Sequence, residues 1–106
     1  MSDRELLEMA AKAAGIEWYG YCGDDSTECH YFDIGPDEVV KWNPLRDDGD
    51  ALRLAVKLEM NVEQDPGAVF VSTEKIDFCE HLIEDRVAAT RRAIVRAAAE
   101  IGRKMP

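Results

Sequence analysis

Five side chains carry the atoms that bind zinc or act as nucleophiles: Cys22, Cys29, His30, Cys79 and His81. Thiolates and imidazoles are the ligands zinc prefers. A thiol beside a histidine, with Asp77 or Glu80 as orienting acid, is also the arrangement of a covalent nucleophile. The spacing weighs against both. Structural zinc sites offer short knuckles with two cysteines close together, whereas six residues separate Cys22 from Cys29. Cys29 and His30 are neighbours, and on a strand they point to opposite faces. No motif sets a thiol at a helix N-terminus, where its pKa would fall. The simpler expectation is half-exposed thiols and surface histidines, with no bound cofactor.

The densest carboxylates are Asp47, Asp48 and Asp50, around Gly49. They lack the alternating acidic register and terminal glutamate of a calcium loop. Set before an apolar-periodic stretch, they are better suited to capping a helix, where carboxylates meet orphan N–H groups and the positive end of the dipole. The phosphate-loop, dinucleotide, nucleophile-elbow and HExxH zinc-protease patterns are all absent from the chain. With no acid–base–nucleophile set assembled, the chain is not expected to be an enzyme.

At 106 residues the chain suits one domain spanning 1–106, too short for two ordinary ones. Its 46% hydrophobic content supports a real core. No apolar run approaches the length of a membrane span, and the charged, amphipathic N-terminus is unlike a secretory signal. Three cysteines cannot all pair within one chain, so reduced thiols and a cytoplasmic location are expected. Thirteen basic against 22 acidic groups give −9, which argues against direct nucleic-acid binding and against anionic membranes.

That charge is split. Residues 1–85 carry 7 basic and 21 acidic groups, and residues 86–106 carry 6 basic and 1 acidic. On a helical wheel Arg92, Arg96 and Arg103 form one stripe opposite Ile94, a candidate interface for an acidic protein partner. Arg91, at the edge of the apolar face, is expected to pair with an acidic residue of the body. A competing idea, an acidic mimic of nucleic acid, would display Asp24, Asp25, Asp37, Glu38, Asp47 and Asp48.

The elements that position these residues follow from periodicity and punctuation. Ser2-Asp3-Arg4-Glu5 is a capping box, Leu6, Met9, Ala10 and Ala13 share a side, and Gly15 closes the helix, which predicts a helix over about 3–14. Aromatic and β-branched runs between Gly/Pro/Asp turns predict strands at about 17–22, 28–33 and 38–42, the first two as a hairpin. Trp42-Asn43-Pro44-Leu45 breaks the third strand and leads to a second helix over about 48–60. Ala51, Leu52, Leu54, Ala55, Val56 and Leu58 cover more than half of its circumference, so it is expected to be the most buried helix. After the Asp65-Pro66-Gly67 turn come a strand at about 68–72, a further extended piece near Ile76 and Phe78, and a final helix over about 84–103. Val87, Thr90, Ile94, Ala98, Ile101 and Met105 define the final helix's apolar side, and Gly102 is placed to end it. The predicted fold is α+β, an α-β-α sandwich with a small, mainly antiparallel sheet and three helices.

Two segments resemble a known family: WNPL (42–45) running into DDGDALRLAVKL (47–58), and ATRRAIVRAAA (89–99). With Arg4-Glu5-Leu6-Leu7-Glu8 and Ala11-Lys12-Ala13-Ala14-Gly15, the chain is similar to the small phage and prophage proteins of the phage ABA-sandwich domain family. The resemblance implies an α-β-α arrangement and a phage or prophage origin, and brings no activity or site residue. The expected role is therefore a non-catalytic accessory protein that binds a macromolecular partner, as a monomer or weak homodimer. A zinc-binding domain and a small enzyme are the alternatives.

Overall fold

A computed structural model describes residues 2–21, 30–35, 38–74, 76–81 and 85–105, and between 17 and 41 it describes the backbone. The order is α1 (Asp3–Ala14), β1 (Glu17–Tyr21), β2 (His30–Gly35), β3 (Glu38–Lys41), α2 (Asp48–Lys57), β4 (Asn61–Asp65), β5 (Ala68–Ser72), β6 (Asp77–His81) and α3 (Arg86–Lys104). The fold class is α+β, with three helices and antiparallel strands. The strands form two sheets, β1-β2-β3 and β4-β5-β6, each a meander of consecutive strands. The Asn43-Pro44 break and α2 separate them, so β3 and β4 do not pair.

The helix ends explain their own boundaries. Ser2 and Glu5 form the capping box of α1, and Gly15 takes the left-handed conformation with φ 72°. Ile16 N–H then returns to the Ala11 carbonyl, satisfying a terminal acceptor. α2 stops three residues before the predicted end, in the same kind of motif. Met60 N–H bonds the Ala55 carbonyl and Glu59 N–H bonds Val56, with Glu59 at φ 53°. A glutamate in the left-handed position carries none of glycine's sequence signal, which is why the stop reads as helix.

α3 is the central element. It packs on α1, α2, β5 and β6, and buries Ala93, Ile94, Val95, Ala97, Ala98, Ala99 and Gly102. This corrects the expectation that α2 is the most buried helix: only Asp50, Ala51, Leu54 and Ala55 are buried there, while Leu52 and Val56 are exposed. It also corrects the predicted apolar side of α3, since Val87 and Met105 are exposed. A helix flanked on several sides selects small residues around most of its circumference, and a one-faced wheel misses that. α1 is likewise rotated from expectation. It buries Leu6, Leu7, Ala10, Ala11 and Ala14, leaving Met9 and Ala13 half-buried.

α1 and α3 run parallel, because Asp3 pairs with Arg92, Met9 touches Gly102, and Lys12 donates to the Met105 carbonyl. Gly102 is where their backbones meet. A Cβ there would sit 1.9 Å from the Met9 carbonyl oxygen, so this glycine permits helix contact besides standing near the helix end. Val69 and Val71 of β5 close the core from the other side, joined by Trp42 and Leu54.

Candidate functional site

Of the Cys/His set, Cys22 and Cys29 lie outside the described residues, and His30 opens β2 opposite Tyr21. Cys79 and His81 are both exposed on β6, opposite Phe70 and Ala68. Glu80, one proposed orienting acid, is engaged by Arg96 at 2.7 Å. Among the described residues no three His, Cys, Asp or Glu side chains gather as a metal site. Of the acidic-mimic residues, Asp24, Asp25 and Asp37 lie outside the described residues as well.

The aspartates at the head of α2 all make contacts within the chain, and Asp47 takes the expected capping role. Asp47 is the N-cap and accepts from Asp50 N–H at 2.8 Å. Asp50 is buried, accepts from Asn43 N–H at 2.9 Å and binds Arg53 at 2.7 Å. Asn43 Oδ1 accepts in turn from Leu45 N–H. The WNPL turn and the first turn of α2 are thus one hydrogen-bonded unit.

The arginine stripe is folded into the chain's own electrostatics. Arg92 faces Asp3 at 3.5 Å, while Arg96 binds Glu80 and lies over the Phe78 ring, 5.6 Å from its centroid. Arg103 binds Glu100 one turn back, and that hydrogen bond holds the Glu100 carboxyl below the usual glutamate range. Each of the three has a carboxylate partner within the chain.

One open concave surface among the described residues involves none of these stripe residues. A groove of about 350 Å³ lies between α2, the start of α3 and β4. Ala51, Leu52 and Ala55 supply one wall, Val62 and Gln64 another, and Val87, Thr90 and Ile94 the floor. It is open and apolar: Leu52 is 64% exposed, Val87 50% and Val62 36%.

Two arginines of α3 hold the walls. Arg91 donates from Nε to the Leu45 carbonyl at 2.9 Å and from Nη1 to Asp48 at the head of α2. This is the pairing with the acidic body expected for it. Arg86 donates to Gln64 Oε1 at 2.9 Å and to the Asp65 and Pro66 carbonyls, fixing the β4–β5 turn. The polar side chains Asp48, Arg91, Gln64 and Arg86 that line the groove are therefore engaged within the protein, and among the described residues no free acid–base pair lines it.

No known protein family, curated protein or solved structure matches this chain. No described helix is long and apolar enough to cross a membrane.

The groove was not legible in the sequence. β4, Asn-Val-Glu-Gln-Asp, has one apolar residue and is exposed over its whole length, so it carries no periodic strand signal. The one available hint was the excess of apolar residues on α2, which covers more than a single packing contact requires.

Proposed function

We propose that this protein is a small, acidic, non-catalytic accessory protein of phage or prophage origin. It acts in the bacterial cytoplasm by binding a protein partner through the groove between α2, β4 and α3. The observation that carries this reading is the exposure of Leu52, Val62 and Val87 around one open concavity. Large apolar side chains gathered on a surface favour a partner that removes them from water, at roughly 25 cal/mol per Å² of apolar area buried. The engaged state of Arg86, Arg91, Asp48 and Gln64 supports binding over catalysis, which needs polar groups free to meet a substrate. The resemblance of WNPL and DDGDALRLAVKL to phage ABA-sandwich proteins supports the origin.

The test is partner capture from host lysate by the wild type and by the double variant Leu52→Asp/Val87→Asp. The captured protein is then purified and its direct binding re-measured. The reading expects direct binding by wild type, at least a tenfold loss in the variant, and unchanged circular dichroism. A folded variant that binds as wild type would refute it.

A further inference from the structure

Resting on the groove as the binding site, we propose that its occupant is an extended segment of the partner that adds to the free edge of β4, presenting alternate apolar side chains to the groove and a carboxylate to Arg86.

The backbone argument comes from register. Asp65 pairs with Ala68 across the two-residue turn Pro66-Gly67, and pairing continues to Asn61 with Ser72. In an antiparallel hairpin closed by two residues, the pair flanking the turn is the hydrogen-bonded one, and hydrogen-bonded positions then alternate along the strand. Asn61, Glu63 and Asp65 therefore bond to β5, and Val62 and Gln64 turn their N–H and C=O groups away from it. β4 is the edge of its sheet among the described residues. The same two residues, Val62 and Gln64, line the groove. Outward backbone groups and groove-facing side chains thus coincide, the combination that strand addition uses: main-chain bonds supply affinity, and alternate side chains enter the cavity.

A helical occupant would leave those N–H and C=O groups to water and gain nothing from them. An extended one can satisfy them while covering Leu52, Val87 and Ile94.

Charge selects the rest of the segment. Asp48 neutralises Arg91, whereas among the described residues Arg86 donates to neutral oxygens only. The groove therefore keeps one positive charge in a chain of net −9. An acidic residue is attracted at the Arg86 end, and a strongly acidic partner is repelled everywhere else. A second copy of the chain, also at −9, meets that repulsion across its whole body.

The test is an NMR titration of the full chain with three synthetic peptides. The first is acetyl-Glu-Ser-Val-Ser-Leu-Ser-amide, whose Glu, Val and Leu share one face of a strand, the second carries N-methyl groups on alternate amides along its pairing edge, and the third replaces Glu by Lys. The proposal expects saturable shifts at the Val62 and Gln64 amides and at the Leu52, Val87 and Ile94 methyls. It expects binding at least tenfold weaker for the N-methylated peptide, and weaker for the lysine peptide. Equal binding of the N-methylated peptide, shifts confined to the outer face of β5 and β6, or no binding by any of the three would overturn it. So would the same shifts arising from self-association without peptide. These results bear on the mode of occupancy; the groove as partner site stands or falls separately with the Leu52→Asp/Val87→Asp variant.

Discussion

Arg91 reaches from α3 to Asp48 on the first turn of α2, and its Nε meets the carbonyl of Leu45 beside the same turn. The guanidinium is mostly covered, with 18% of the side chain exposed. One residue thus joins the WNPL turn, α2 and α3, and sets one wall of the groove. Arg91→Ala should destabilise the protein by about 1–3 kcal/mol, because a half-covered carbonyl loses its donor. Chemical denaturation measures this, and a loss within error of zero would show that the brace is not needed.

Arg103 offers the contrast. Its bond to Glu100 lies within one exposed turn of α3, where ion pairs contribute little. Arg103→Ala should leave the melting temperature unchanged and raise the Glu100 carboxyl toward its ordinary pKa. A lowered folded-state value means that this carboxylate favours folding above the unfolded pKa and loses that contribution as pH falls through the folded one. Carboxyl NMR titration reads the shift. A Glu100 value unmoved by the substitution would contradict the assignment.

The same accounting applies to reversing Arg92, Arg96 and Arg103 to glutamate together. Like charges would then face Asp3, Glu80 and Glu100, and the cation over Phe78 would be lost. The melting temperature should fall, with Arg96→Glu alone accounting for most of the drop. If the triple variant is as stable as wild type, these pairs are decorative and the stripe is free to serve as an interface.

Gly102→Ala tests the helix crossing. A methyl 1.9 Å from the Met9 carbonyl forces α1 and α3 apart, and overpacking of this kind costs about 1–3 kcal/mol or more. Alanine's better helix propensity returns about 1 kcal/mol, so a net loss is expected. A gain in stability would mean that the helices do not meet at this point.

The two leucines of α2 separate core from groove. Leu54 is 2% exposed, and Leu54→Asp should abolish folding, since an unpaired buried charge costs several kcal/mol. Leu52→Asp should stay within about 0.5 kcal/mol of wild type, as exposed substitutions usually do. Thermal melts of both decide the matter, and a destabilised Leu52 variant would place that side chain in the core.

Where local chemistry sets the structure, the sequence was readable. Ser2, Glu5 and Gly15 mark both ends of α1, Asp47 caps α2, and Trp42-Asn43-Pro44 stops β3, because caps and turns act within a few residues. What depends on distant partners was hidden. Gly102 looks like a terminator until Met9 is placed against it, and Glu59 conceals a left-handed stop. Val56 and Leu52 read as core because only tertiary structure shows that nothing in the described chain covers them. β4 gave no periodic signal at all, and with it went the groove.

Site-specific photocrosslinking in the host tests the central claim most directly. A benzophenone amino acid is introduced at Leu52, at Val87, and at Phe70 on the far face of β5. The groove reading predicts the same covalent protein adduct from positions 52 and 87 and none from position 70. Adducts from position 70 alone, or none at 52 and 87 in a folded and expressed protein, would contradict it.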